Sequence, residues 1–325
     1  MTMQLSWSKG LLVQGKNKIA VDCNADTSIV THAHADHASF RPKGLLLGSK
    51  ATFDLIGFTT KTKKSLDFGE RFRIDDLTIS LHNAGHILGS SQVLIEGDER
   101  IAITSDFKLQ DSLILEGAKP LQCDKLVIET TYGLPQYSFP DRTSVYEKFA
   151  SWAKKQLSMG KFLVLAGYAI GKAQELTAFS NKYLNIAPLV HEKIYQNNKI
   201  YEEHNIKLGP YYKLDHNLHD SDVLILPHSL CNAHLVQAIS FSVGKKVASA
   251  KASGWPYLGF YDAVFPLSDH ADFNQLLEYV KAAEPKQVFT MHGFAKEFAA
   301  HIRRRYGITA RPLEKGQQSF LIEFD

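Results

Sequence analysis

Thr31-His32-Ala33-His34-Ala35-Asp36-His37 follows directly on a short aliphatic run, Ser28-Ile29-Val30, and puts four metal-competent side chains into six consecutive residues. In an extended chain the side chains alternate with period two, so His32 and His34 share one face, while Asp36 and His37 come where the chain turns. Four such groups cannot sit unpaired in an apolar interior, because buried polar groups need partners. A metal ion supplies those partners, and the alanine spacers let the ligands converge closely. The competing account, a solvated histidine-rich loop, gives the small spacers no role.

The spacing H-x-H-x-D-H after a strand resembles the signature of the metallo-β-lactamase fold, which implies an α/β chain built as an αββα sandwich. That fold calls for four more residues, and each has a counterpart. Asp22 ends the run 18–21, His86 lies in the turn Asn83-Ala84-Gly85-His86-Ile87-Leu88-Gly89-Ser90, Asp106 follows Ile101-Ala102-Ile103-Thr104-Ser105, and His292 follows 287–291. The resemblance implies that His32, His34 and His86 hold one ion and that Asp36, His37 and His292 hold a second. Asp106 would bridge the two, with Asp22 orienting a ligand from behind. A donor set rich in imidazole suits two Zn²⁺, with Mn²⁺ or Fe²⁺ as alternatives. Two ions about 3.5–4 Å apart activate a bridging water to hydroxide and neutralise both oxygens of an in-line displacement.

Around this motif stands a chain of 325 residues, 44% hydrophobic and 22% charged, which is ordinary globular composition and enough for one large domain or two of usual size. Cys23, Cys123 and Cys231 lie far apart, so a disulfide framework is not expected and a reducing cytoplasm is. No apolar run approaches the ~20 residues of a membrane span, so no membrane partner is expected. The first third reads as short strands at 19–22, 28–31, 77–81, 92–96, 100–104 and 126–128. From Arg142 the pattern changes to helix 142–159, strand 162–166, helix 172–183 and strand 223–226, an alternating α/β unit. Past Trp255-Pro256 come helix 272–283, strand 287–291, helix 295–306 and a closing strand 319–324. Charge divides with the pattern. Residues 134–255 hold 14 Lys and Arg against 9 Asp and Glu, a net of +5, which leaves −2 for the remainder.

A basic α/β segment between Asp106 and His292 resembles the insertion of the beta-CASP nucleases. The expected organisation is residues 1–133 as the first part of the metallo-β-lactamase domain, 134–255 as the beta-CASP domain, and 256–325 as the closing part. Glu129, in Glu129-Thr130-Thr131-Tyr132-Gly133, and His270, in Leu267-Ser268-Asp269-His270-Ala271-Asp272, match two further motifs of that family. His292, which matches the third, separates the chain from the Artemis-like branch. Among beta-CASP proteins it is similar to the short ligase-associated DNA exonucleases and archaeal mRNA 3′-end-processing-factor-like proteins.

The resemblance implies a metal-dependent phosphodiesterase, an exonuclease on single-stranded or end-exposed DNA or RNA in DNA repair or RNA processing, with a DNA ligase or helicase as partner. Its catalytic set is His270, Glu129 and Asp36. His270, held protonated by Glu129 and by Asp269, would protonate the leaving sugar oxygen. The turn Gly167-Tyr168-Ala169-Ile170-Gly171-Lys172-Ala173 fails as a P-loop, since three residues separate its glycines and Ala173 stands where Ser or Thr would be. It remains a candidate phosphate contact through Gly171 and Lys172, with Ser268 beside them, or else a plain βα turn. Three other readings stay open: a ribonuclease of the same family, a small-molecule hydrolase of the same fold, and a non-catalytic nucleic-acid-binding subunit. His82 is expected to pack. His191, His204, His216, His219, His228, His234 and His301 are expected at surface or capping positions, and Arg303-Arg304-Arg305 on a solvated face. Tyr211-Tyr212, Trp255 and Tyr257 are base-stacking candidates whose default is core.

Overall fold

The computed structural model describes residues 3–7, 10–14, 18–57, 62–215 and 218–313; His216 and the expected strand 319–324 lie outside them. The chain divides into two compact units, Met1–Leu109 with Gly117–Ser138 and His270–Asp325, and Gln110–Glu116 with Phe139–Asp269. The sequence reading closes the inserted segment at 255, whereas this division carries the second unit on to Asp269.

The first unit opens with an antiparallel meander of β1 (Gln4–Trp7), β2 (Leu11–Gln14) and β3 (Lys18–Val21). The parallel strands β4 (Thr27–Ile29), β5 (Leu45–Gly48) and β6 (Lys63–Ser65) complete the sheet in the order β1-β2-β3-β4-β5-β6. A single-turn helix α1 (Ala35–Ala38) follows β4, and α2 (Lys50–Ile56) follows β5. Ser49 caps α2 by accepting from Thr52 N at 3.1 Å. A second sheet starts as the meander β7 (Arg71–Ile74), β8 (Leu77–Asn83), β9 (Ser91–Glu96) and β10 (Arg100–Ile103), and continues in parallel with β11 (Lys125–Glu129).

The second unit is an alternating run: α3 (Arg142–Ser158), β12 (Phe162–Gly167), α4 (Lys172–Phe179), β13 (Leu189–Val190), α5 (Glu192–Glu203), β14 (Tyr212–Lys213), β15 (Val223–Pro227), α6 (Ala233–Val243), β16 (Val247–Ala252) and β17 (Ala263–Phe265). Its strands form a wholly parallel sheet, β14-β13-β15-β12-β16-β17. The even residues Phe162, Val164 and Ala166 pack with Ile239 and Val243 of α6, and the odd Leu163 and Leu165 pack with Phe149, Leu176 and Ile194 of α3, α4 and α5. Both faces are covered, as a parallel sheet requires. Beneath α3 and α4 lies a buried ionic cluster. Arg142 grips Glu175 through Nη2 at 2.6 Å and Nε at 3.1 Å and donates to Ser268 O at 2.6 Å, while Tyr146 and Lys172 also bond Glu175.

The chain then returns to the first unit with α7 (Phe273–Ala283), β18 (Gln287–Met291), α8 (Ala295–Tyr306) and β19 (Thr309–Pro312), which finish the second sheet as β19-β18-β11-β10-β9-β8-β7. Period-two alternation explains how the layers stack. Val93, Ile95, Ile101, Ile103 and Val127 meet Val13, Ile19, Ile29 and Leu47 of the first sheet in one core. The intervening Leu94, Ala102, Leu126 and Ile128 meet Leu276, Val280, Phe298 and Ile302 of α7 and α8. Val30 and Leu46 pack on Phe53 of α2 on the far side. The unit is therefore the expected helix–sheet–sheet–helix sandwich. Each Ile, Leu or Val so buried contributes about 1.5–3 kcal/mol.

Candidate metal centre

Both sheets of the first unit deliver polar residues at the carboxyl ends of their strands. Asp22 follows β3, His32 follows β4, His86 follows β8, Asp106 follows β10, Glu129 ends β11 and His292 follows β18. Three residues here leave their strands in the left-handed region: Asp22 at φ 56°, Ser105 at φ 50° and His292 at φ 59°. Each such non-glycine residue costs roughly 1–2 kcal/mol, a cost sustained at functional sites. After His292 only glycine fits, because a Cβ on Gly293 would lie 2.4 Å from Thr130 O.

The buried hydroxyl of Thr31 is the hub of the first layer. It donates to Asp22 Oδ2 at 2.7 Å, since a carboxylate only accepts, and so receives from Ser105 Oγ at 2.7 Å and from His32 Nδ1 at 3.1 Å. That fixes the His32 tautomer and leaves Nε2 with its lone pair, a fully buried atom that has no hydrogen-bond partner among the described residues. Asp22 treats His37 in the same way, accepting from Nδ1 at 2.7 Å, and its Oδ1 takes Thr31 N at 2.8 Å. Both imidazoles are thereby aimed at Asp106, whose Oδ2 lies 3.6 Å from His32 Nε2 and 3.5 Å from His37 Nε2.

His86 approaches the same carboxylate from the β8–β9 turn. Its Nε2 is 3.8 Å from Asp106 Oδ2 and 3.0 Å from His34 Nδ1. The turn is held by Ser90 Oγ, which accepts from His86 N at 3.1 Å, and by the buried Lys108, whose ammonium donates to the carbonyls of Gly85 and His86. Ligand atoms of His32, His34, His86 and Asp106 all lie within 4.8 Å of one another. Burial drives His32 well below the usual imidazole range, and His37 adds to this, so His32 is neutral. Burial opposes charge on His37, yet Asp106 and Asp22 carry it well above that range. Asp106, although burial disfavours its charge, is held well below the carboxylate range by His37 and His270. The orphaned, neutral, buried His32 Nε2 inside a set of nitrogens and one carboxylate is what a bound zinc ion needs.

The remaining candidates fall into two places. Asp36, 78% exposed at its side chain, has Oδ2 3.7 Å from His37 Nε2, and it lines a cavity of about 60 Å³ with His37, His292, Asp22 and Trp7. Trp7 meets the His292 ring edge-on at 5.4 Å. Beside Asp106, His270 Nδ1 is 3.0 Å from Oε1 of the fully buried Glu129, which also accepts from Phe107 N at 3.3 Å and Thr131 N at 3.0 Å. The His270 and His86 rings lie 4.6 Å apart. Asp106, Glu129 and His270 make a second group whose ligand atoms lie within 4.8 Å of one another.

Three substrate-contact expectations meet structural roles in the second unit. The Lys172 ammonium is buried and bonded to Glu175 and to Asp269, the latter at 2.8 Å, and the Gly171 amide is taken by Gln174 Oε1 at 2.7 Å. Ser268 gives its carbonyl to Arg142. The turn is tight because α4 packs against it: a Cβ on Gly167 would lie 2.6 Å from Lys172 Cγ. Asp269, expected beside His270, has its carboxylate on Lys172 and, at 3.5 Å, on Arg142. His191 caps α5 by accepting from Lys193 N at 3.1 Å, and His82 packs with Nε2 3.0 Å from Ser80 Oγ. Arg303, Arg304 and Arg305 are exposed. Trp255 and Tyr257 are exposed rather than core, at 38% and 76%. Sequence reasoning missed Thr31, Ser105, Lys108 and Trp7. The first and third carry a faint signal, standing one residue before His32 and two after Asp106.

A helix–sheet–sheet–helix sandwich with a histidine and aspartate cluster at its strand ends defines a metallo-hydrolase of the metallo-β-lactamase fold. The comparisons make this specific. Residues 263–311 match the family described as the Zn-dependent metallo-hydrolase RNA specificity domain. A probable DNA ligase of Opitutus terrae is 33% identical over 290 residues, 86% of this chain and 28% of that protein. The transcription termination factor FttA of Methanothermobacter thermautotrophicus is 29% identical over 233 residues, 60% of this chain and 37% of the relative. An RNase J-like protein of Methanocaldococcus jannaschii is 28% identical over 200 residues, 54% and 48%. The chain thus spans less than half the length of each of these relatives. In fold it is similar to a protein of unknown function from Enterococcus faecalis V583, with a TM-score of 0.66 at 12% identity over 98% of this chain and 99% of that one. The chain belongs to the metallo-β-lactamase/beta-CASP family. Among the described residues no helix is long and apolar enough to cross a membrane, and the three cysteines are free and buried.

Proposed function

We propose that this protein is a two-zinc nuclease that hydrolyses phosphodiester bonds of DNA, acting as an exonuclease on single-stranded or end-exposed substrate. One observation carries the chemistry: the buried, unpartnered His32 Nε2 sits where the ligand atoms of His34, His86 and Asp106 converge within 4.8 Å. The Zn-dependent hydrolase family match and relatives named for DNA ligation, transcription termination and RNase J support a nucleic-acid substrate. His32, His34 and His86 would hold one ion and Asp36, His37 and His292 the other, with Asp106 as a further carboxylate ligand; Asp22 orients His37 by accepting from its Nδ1. Zinc, when bound, supplies Lewis acidity toward water and toward phosphate charge. The protein supplies the proton. Glu129 takes the Nδ1–H of His270 at 3.0 Å and so favours imidazolium, whose Nε2–H is given to the leaving sugar oxygen. The second unit serves as the beta-CASP domain, and the net charge of +5 over residues 134–255 attracts the phosphate backbone. The protein works in the cytoplasm, in DNA repair, with a ligase or helicase as partner; the ligase-named relative supports the ligase.

An RNA substrate is the second reading, favoured by the RNA specificity description of the family matched at residues 263–311. Incubating the zinc-loaded protein with end-labelled single- and double-stranded DNA and RNA, and with a generic thioester, tests both. Turnover of DNA ends supports the first reading and of RNA the second, while turnover of the thioester alone overturns both. His270→Ala is expected to abolish most hydrolysis and keep two zinc ions. Loss of an ion would instead make His270 a ligand.

A further inference from the structure

In the second unit the chain builds β12 first, adds β13, β14 and β15 on one side, and then crosses to place β16 and β17 on the other. Ligands of doubly wound parallel sheets bind beyond the carboxyl ends of the strands where the order reverses. Three side chains stand there. The alternation that sends Val164, Ala166, Leu224 and Leu226 toward α6 continues to Tyr168 and His228, one residue past β12 and β15. Their rings accordingly meet with centroids 4.3 Å apart, and His228 N donates to Gly167 O at 2.8 Å. Lys251 pairs in register with Ala166 on β16, between Ala250 and Ala252 of the opposite face, so it projects to the same side. Although Tyr168 packs on His228, the residue is 52% exposed, so much of its surface faces solvent at the edge of a sheet that is otherwise covered.

We propose that Tyr168, backed by His228, is a stacking platform for one base of a single-stranded nucleic acid, with the adjacent phosphate on Lys251. An aromatic face beside a cation is how single strands are held without sequence preference. The net charge of +5 over residues 134–255 matches a polyanion. The site deepens the nuclease reading and rests on it. None of the three residues belongs to the centre in the first unit.

The test is fluorescence anisotropy on chelator-treated, full-length protein, which binds without cleaving, titrated with labelled oligothymidylate and oligouridylate about twelve nucleotides long. Tyr168→Ala should weaken binding between about fivefold and a hundredfold, and Tyr168→Phe should restore it. Lys251→Gln should reduce the slope of log affinity against log salt by about 0.7. Phe241→Ser, at a 91% exposed position on α6, is the surface control and should bind like wild type. If the alanine variant melts below wild type, Tyr168→Leu keeps the bulk without the ring and should show the same loss. Wild-type binding that Tyr168→Ala, Tyr168→Leu and Lys251→Gln leave within twofold, at an unchanged salt slope, overturns this proposal alone. Failure of wild type to bind either oligonucleotide overturns the nuclease reading as well.

Discussion

Replacing Thr31 by valine keeps the shape of a fully buried residue and removes one oxygen. That oxygen serves three partners, Asp22 Oδ2 at 2.7 Å, Ser105 Oγ at 2.7 Å and His32 Nδ1 at 3.1 Å. Asp22 retains His37 Nδ1 and Thr31 N, so it suffers least. Ser105 Oγ and His32 Nδ1 lose the acceptor the hydroxyl gave them, at about 1–3 kcal/mol for each orphaned buried donor, or about 2–6 kcal/mol together. His32 has an escape, which is to move its proton to Nε2 and donate to Asp106, 3.6 Å away. The escape removes the lone pair that would bind zinc. Loss of such an orienting partner typically weakens metal affinity about 10–100-fold, or about 1.4–2.7 kcal/mol. Competition against a chromophoric zinc chelator measures this directly, and Thr31→Ser, which keeps the hydroxyl, should recover most of the affinity. A folded Thr31→Val protein that binds zinc as tightly as wild type would refute the reasoning, because the tautomer of His32 would then not depend on this hydroxyl.

Lys108→Met removes the donor to the carbonyls of Gly85 and His86 and should lower zinc affinity about tenfold, read in the same titration; unchanged affinity would make the lysine a packing residue. The pH dependence of the metal-free protein follows from two imidazoles displaced in opposite senses. His37, raised by Asp106 and Asp22 against its burial, stabilises the fold fully below the unfolded value near 6.5, and that contribution is lost as pH rises through its higher folded value. His32, lowered by burial, stabilises above 6.5, and its contribution is lost as pH falls below. Thermal melts in chelator from acid to alkaline pH should therefore fall away on both sides of neutrality, and zinc affinity should keep rising above pH 7 as His37 gives up its proton. A melting temperature still rising well above pH 7 would contradict the His37 assignment. In the second unit, Arg142→Met leaves Glu175 to Lys172 and Tyr146 and should cost about 3–5 kcal/mol in urea unfolding, whereas a cost below about 1 kcal/mol would show that water replaces the guanidinium.

The convergence of His32, His34, His86 and Asp106 was readable because metal-binding patterns restrict residue types and strands restrict spacing. The His32–His34 pair, His86 and Asp106 are far apart in sequence and converge because β4, β8 and β10 end at the same side of the sandwich. Strands with strong aliphatic runs, such as β9 and β18, were readable to within a residue. The hairpin β1–β2 was not, since Gln4–Trp7 alternates weakly and lies at a sheet edge. Helix α4 reads as continuing to Tyr183 but gives way after Phe179 to a π turn, beyond which Ser180 Oγ donates to Ile186 O. Thr31 and Lys108 were not readable as site residues, because a hydroxyl or ammonium acquires such a role only from what three dimensions leave unsatisfied around it. Lys172 shows the opposite error. A Gly-Lys turn before a helix reads as a phosphate grip, but Glu175 on the next turn and Asp269, 97 residues away, claim the charge.

The left-handed backbone at Asp22, Ser105 and His292 sets a limit on how far this protein could be made more robust. Glycine at any of the three would relax the main chain, but at Asp22 it would delete the carboxylate that accepts from Thr31 and His37, and at His292 the imidazole proposed as a ligand. Only Ser105 offers a partial exchange, and its hydroxyl is tied to Thr31. At these three strand ends a polar side chain of the candidate centre rests on a strained backbone, so stability and the proposed activity are coupled there. A more heat-resistant version would have to be sought in the cores of the two units rather than at the strand ends.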